Sequence, residues 1–260
     1  MNIRLATIAI TTLLFLTQIA NAQINSPARY VQIRSIDLTT SVLELFNAGP
    51  NSQSLASWRF CTHDEDQVRR YSSASGLNNF TLASQQSLYV HFNNDADPAN
   101  PQAVNISTIG GAFALPLDAA GAYGAQIYIN SSFGYGASIA DHVQFSVGGV
   151  DNTSADDRSD EAEGQVWSDQ NEWVSVTLDT EMIVLNDASL SNELHSAADY
   201  TVVEPAILGD VNNDGLVTFA DIQPFIDALS SPNFIAAADI DQDGMVTFMD
   251  IAGFILILQN

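Results

Sequence analysis

The sequence predicts a mainly β fold, a β-sandwich or barrel, followed by a small helical unit at the C-terminus. Three observations lead there. Short segments of apolar–polar alternation recur from Tyr30 to about Thr180. Turn-forming clusters of Gly, Asn, Asp and Pro separate them, with no convincing helical stretch between. Behind Asp221 the apolar period becomes that of a helix, directly after a twelve-residue acidic segment that occurs twice.

Residues 1–22 are expected to be a leader rather than part of the fold. One positive charge at Arg4 precedes an apolar run from Leu5 to Ile19, and Ala20-Asn21-Ala22 gives the small-x-small pattern that a signal peptidase cuts. The run is shorter than the roughly 18 to 20 residues a membrane span needs, so cleavage after Ala22 and a secreted or cell-surface protein are expected. The apolar tail at Phe254–Leu258 is far too short for a span. The chain carries 31 acidic residues against seven basic ones, all Arg, for a net charge of −24. Nothing in that balance neutralises phosphates, which excludes nucleic acid and anionic membranes as partners and favours divalent cations. Cys61 is the only cysteine, so no intrachain disulfide supports the fold.

The strand elements follow in order. Tyr30–Leu38 alternates over nine residues, Val42–Asn47 alternates again, and Ala48-Gly49-Pro50-Asn51 supplies a turn. Ser87–Phe92, Ala125–Ile129, His142–Val147 and Trp173–Leu178 behave alike. Period two over such lengths places alternate side chains on opposite faces, the mark of half-buried strands. The stretch 151–163 reads as a solvated acidic loop. Trp58 reads as a core residue, whereas Trp167 and Trp173, beside that loop, are candidates for an exposed aromatic surface. A last strand near Tyr200 runs into a linker, giving a leader at 1–22, a β domain at 23–200, a linker at 201–207 and a C-terminal domain at 208–260.

Asp210–Asp221 reads DVNNDGLVTFAD, and Asp239–Asp250, twenty-nine residues on, reads DIDQDGMVTFMD. Calcium takes about six to eight oxygen ligands, which a 12-residue loop supplies from positions 1, 3, 5, 7, 9 and 12 with Gly at position 6. The candidate ligands are Asp210, Asn212, Asp214, the Leu216 carbonyl, Thr218 through water and Asp221. The second set is Asp239, Asp241, Asp243, the Met245 carbonyl, Thr247 and Asp250. Gly215 and Gly244 fall where the chain needs a positive φ. Position 12 is Asp rather than the usual Glu, which either draws the helix closer or binds through one oxygen. Position 8, Val217 and Val246, suits a short β contact between the loops. Two Ca2+ ions are expected. Three carboxylates in one loop and four in the other repel without metal, so metal binding and folding of this segment are expected to be coupled. Behind each loop the apolar residues keep helical spacing: Ile222, Phe225, Ile226, Leu229, and Ile251, Phe254, Ile255, Leu258. The stretches in front are too short and broken for entering helices, so these are loop–helix units.

Residues 208–258, LGDVNNDGLVTFADIQPFIDALSSPNFIAAADIDQDGMVTFMDIAGFILIL, resemble a type I dockerin domain. The resemblance implies two calcium loop–helix repeats related by a pseudo-twofold axis and docking onto a cohesin-like or other cell-surface protein. Loop positions 10 and 11, often small and hydroxylated in that family where they help select the partner, are Phe219-Ala220 and Phe248-Met249 here. These large groups either fill the domain's own core or form a different partner face. Residues 42–61, VLELFNAGPNSQSLASWRFC, with Glu44, Asn47, the Gly-Pro turn, Leu55 and Trp58, resemble a lamin-tail domain. That resemblance implies an immunoglobulin-like β-sandwich acting as an interaction or anchoring module without catalytic residues.

No nucleophile elbow, zinc-protease helix or Cys–His signature is present. Asp141 and His142 are strand neighbours that point to opposite faces and form no relay together, while His91 and His195 read as lone polar residues. The sequence therefore points to a secreted, calcium-binding interaction protein with no catalytic residues to name. The alternative is a protein that binds polysaccharide or degrades it (O-glycosyl hydrolase class), delivered by its C-terminal domain.

Overall fold

A computed structural model describes residues 27–64, 70–71, 73, 75–110, 117, 119–120, 122–133, 135–150, 160–190 and 192–259. The leader expected at 1–22 and residues 151–159 of the expected acidic loop lie outside the described residues. The fold is mainly β, with three sheets and few helices among the described residues. Among the described residues no helix is long and apolar enough to cross a membrane.

The alternating segments become strands at the expected places. They are β1 (Val31–Asp37), β2 (Val42–Asn47), β3 (Gln53–Ser54), β4 (Arg59–Asp64), β5 (Arg70–Tyr71), β6 (Thr81–Leu82) and β7 (Ser87–His91). β8 (Ala103–Asn105), β9 (Tyr123–Tyr128), β10 (Ile139–Val147), β11 (Val174–Val176), β12 (Met182–Leu185) and β13 (Tyr200–Val203) complete the set. A six-stranded sheet runs β13-β12-β1-β2-β7-β8, a five-stranded sheet runs β11-β10-β9-β4-β5, and β3 pairs with β6. Pairing is antiparallel except for β7 with β8 and β10 with β11. Both larger sheets feed one hydrophobic core. Ile33, Leu43, Leu45 and Val90 enter it from the first, and Phe60, Ile127, Val143 and Phe145 from the second. Trp58 lies in that core as expected.

Alternation alone implies one wet face, but β10 is buried on both. Its polar set, His142, Gln144 and Ser146, lies beneath other chain segments. Gln144 donates to the carbonyls of Gln170 and Glu172 at 2.8 Å each, and Ser146 donates to Val150 at 2.8 Å. The polar half of the pattern is thus used to hold a covering segment, since a buried amide or hydroxyl must find a partner. That segment carries Trp167, which stacks edge-on to His142 at 5.3 Å and is fully buried. Trp173 is buried as well, against Ala122. The expected exposed aromatic surface is therefore absent at these two residues. Each indole is drawn under because the outer face of this sheet is roofed rather than open.

Asn47 closes the turn that its neighbours predict. Its amide donates to the carbonyls of Asn51, Leu82 and Ala83 at 2.8, 3.0 and 3.1 Å, and its oxygen accepts from Gly49 N–H at 3.0 Å. One buried side chain thereby joins the end of β2 to the turn after β6. Asn47→Ala strands these backbone groups, and urea denaturation of the full chain should show a loss of about 3 kcal/mol. Asn79→Ala, a neighbouring exposed site, should cost under about 0.5 kcal/mol.

Candidate metal centre

The C-terminal unit is built from two copies of one local design. Asp210 is buried, and its two oxygens accept from Asp214 N–H at 3.0 Å and Gly215 N–H at 2.8 Å. Asp239 repeats this with Asp243 at 3.1 Å and Gly244 at 2.9 Å. Position 5 then turns the chain onward: Asp214 accepts from Leu216 N–H and Asp243 from Met245 N–H. Gly215 and Gly244 have φ of 84° and 88°, with open space where a Cβ would stand, so conformation and not crowding selects glycine there. Asn213 and Gln242, at position 4, share a left-handed φ of 57°, which no glycine in the sequence had signalled.

Position 12 behaves in a way the sequence left open. Asp221 accepts from Asn212 N–H at 3.0 Å and Thr218 N–H at 2.8 Å. Asp250 accepts from Ile240 and Asp241 at 2.7 and 3.1 Å with one oxygen, and from Thr247 at 2.7 Å with the other. Both carboxylates are buried, and each draws the start of its loop against the start of its helix. Burial pushes the Asp250 carboxyl up, but the N–H groups of Thr247, Asp241 and Ile240 outweigh it and hold it below the ordinary range. The same balance, with Thr218, Asn212 and Val211 as donors, lowers Asp221.

Carboxylate oxygens of Asp239, Asp241 and Asp243 come within 4.8 Å of one another. Desolvation, with the neighbouring charges of Asp243, Asp250 and Asp239 adding to it, raises the Asp241 carboxyl despite a backbone N–H from Asp243. Oxygen donors of like charge gathered around one point are the chemistry a hard divalent cation satisfies, so the residues present fit calcium. In the first loop Asn212 replaces the middle carboxylate, and its amide nitrogen donates to Asp214 at 3.0 Å.

Each loop leads into a short helix, α1 (Ile222–Ala228) and α2 (Asp250–Ile257), and among the described residues no α-helix runs directly into either loop. Thr218 caps the 3-10 turn Phe219–Asp221 that leads into α1 by accepting from Ala220 N–H, and Thr247 accepts from Met249 N–H. The helices meet through Phe225 and Phe254, stacked 4.0 Å apart. Gly209 N–H donates to the Ala237 carbonyl at 2.8 Å and so ties the front of one repeat to the front of the other. The expected β contact between Val217 and Val246 does not form. Val246 packs into the small helical core and Val217 lies against Gly209, so apolar burial takes both side chains elsewhere.

Away from the loops, the two histidines that read as solitary have partners. His91 meets Asp95 at 2.7 Å, and buried His195 meets Asp141 at 3.1 Å across 54 positions of sequence. Asp141 and His142 make no bond to each other: His142 Nε2 meets Gln144, and its Nδ1 has no partner.

Paired loop–helix units with calcium-type donor spacing and no directly entering helices set this unit apart from a helix–loop–helix hand. Comparison with family models makes it specific: the type I dockerin domain model matches residues 208–257. Among curated proteins no match is found.

Because three backbone N–H groups depend on one carboxylate, Asp250→Asn should expose them. Hydrogen exchange with calcium present should then show faster exchange at Ile240, Asp241 and Thr247, with Asn212 and Thr218 of the first loop unchanged.

Proposed function

We propose that this is a secreted calcium-binding interaction protein whose C-terminal module docks onto a protein partner. The observation that carries the reading is the duplicated loop, in which two sequences fold to one hydrogen-bond pattern, with acidic oxygens converging in the second. Two Ca2+ ions would be held by Asp210, Asn212, Asp214, the Leu216 carbonyl, Thr218 and Asp221, and by Asp239, Asp241, Asp243, the Met245 carbonyl, Thr247 and Asp250. The metal would supply charge neutralisation, joining acidic side chains that otherwise repel within a unit whose core holds four buried side chains. The leader at 1–22 would direct export, and the β region would serve as an immunoglobulin-like module of the lamin-tail type.

The docking face follows from exposure. Phe219 and Phe248 are 79% and 80% exposed, and Met249 is 75% exposed. They do not fill the domain's core, because the stacked Phe225 and Phe254 already occupy it. Aromatic and Met side chains offered to solvent at equivalent places in both repeats suit a partner with apolar recesses. A cohesin-like surface protein of that character is the partner we propose.

Two measurements test the reading separately. Calorimetry with calcium should give two sites, and Asp210→Ala and Asp239→Ala should each remove one; no heat from the wild type ends the metal assignment. Binding to an immobilised cohesin module should require calcium, and replacing both Phe219 and Phe248 by Ala should weaken it at least about tenfold. Calcium binding without any docking would leave a metal-stiffened domain and remove the partner.

A further inference from the structure

A buried polar centre joins three parts of the β region that lie far apart in sequence. Asp141, on β10, accepts from the Ile33 N–H of β1 at 2.6 Å, which ties the two larger sheets together. Its other oxygen faces His195 Nδ1 at 3.1 Å, and both side chains are 2% exposed. His195 lies in the connector between β12 and β13. Its N–H donates to Val166 and its carbonyl accepts from Ser168, so the segment carrying Trp167 hangs on the same residue.

The remaining imidazole nitrogen has two partners of opposite kind. His195 Nε2 lies 3.2 Å from the Ser189 carbonyl, an acceptor, and 3.3 Å from the Gln32 amide nitrogen, a donor. A charged imidazole donates to Ser189 and leaves the Gln32 N–H opposed; a neutral one, donating to Asp141 through Nδ1, accepts from Gln32 and leaves Ser189 only the Asn192 N–H at 2.9 Å. Gln32 Oε1 is buried and without a partner, while its amide nitrogen is held in place by the Asn192 carbonyl, to which it donates at 3.1 Å. The two protonation states therefore prefer different hydrogen-bond patterns.

We propose that Asp141 and His195 form a protonation-gated clasp, which holds the β12–β13 connector to both sheets when the imidazole is charged and slackens when it is neutral. The physical reason is the buried carboxylate. With a neutral ring Asp141 keeps a backbone N–H and a neutral donor, but no countercharge in a dry site. Other ionisable groups around the ring are few. Asp199 and Tyr200 follow it in sequence, with Asp199 tied to Ser189 and Ser196. His142 flanks Asp141, and burial lowers it to about 4, so it stays neutral. Glu193 pairs with Arg29 at 3.4 Å, Asp187 with Arg34 at 3.8 Å, and Glu163 and Glu172 flank Trp167 on its segment.

The direction follows from these contacts. Burial alone would lower His195, but the Asp141 charge and hydrogen bond, the Ser189 carbonyl and the Asp199 charge outweigh it and raise it above 6.5. The clasp is fully present below the ordinary value and weakens as pH rises through the raised one. Between the two values the closed state keeps a proton that the open state has lost, so protection falls about tenfold per pH unit and then levels.

The test uses the full chain with saturating calcium and 13C-labelled histidine. Imidazole resonances are followed by NMR from roughly pH 5 to 9, together with exchange at the Ser168 and His195 amides corrected for intrinsic rate. One resonance, lost in His195→Gln, should titrate above 6.5, and amide protection should fall over the same range. Asp141→Asn should return that resonance to the ordinary value or lower and flatten the protection profile. A wild-type His195 that titrates at or below 6.5 overturns the proposal without any variant, as does a protection profile that Asp141→Asn leaves unchanged.

Discussion

A carboxylate taken out of water has to be met by donors, and this chain has no lysine and only seven arginines to provide them. Backbone N–H groups do the work instead. Asp141 takes one from β1, Asp210 and Asp239 each take two from their own loops, and Asp250 takes three. The structure depends on this exchange. A buried acid met mainly by backbone N–H groups becomes a connector between backbone segments, and Asp141 adds His195 as a side-chain partner.

The two parts of the chain answer the same constraint differently. The β region has a continuous core drawn from both larger sheets. Asn47 and Asp141 then fix particular connections on that base. The C-terminal unit has a core of Phe225, Ala228, Ala238 and Phe254, and carries eight carboxylates between residues 208 and 257 with no basic residue among them. Its carboxylates at positions 1 and 12 are buried against backbone N–H groups, while the side chains at positions 3 and 5 stay exposed. That division leaves exposed oxygen donors and exposed apolar side chains side by side on a small unit.

How much could be read beforehand follows from range. The loop design is local: donors and acceptors lie within eleven positions, so spacing alone marks Asp210, Asp239 and the glycines. Strand positions are likewise local, since period two is a property of each segment. Burial of Trp167 and Trp173 is not local, because it rests on which segment roofs β10. The Asp141–His195 pair leaves no spacing signature across 54 positions, although a polar set alternating within an otherwise apolar strand hinted that β10 is covered. Val217 and Val246 were misread because a β contact and an apolar contact ask for the same residue type.

The sequence by itself determined the duplicated metal-type loop, the helical stripes behind it and the mainly β character ahead of it, because each is written in contacts between near neighbours. Tertiary structure decided the rest. It set which face of each sheet was roofed, which acid met which histidine, and whether Phe219 and Phe248 turned inward. Those outcomes depend on what already fills the space: once Phe225 and Phe254 stack, the second pair of phenylalanines has only solvent, or a partner, to meet.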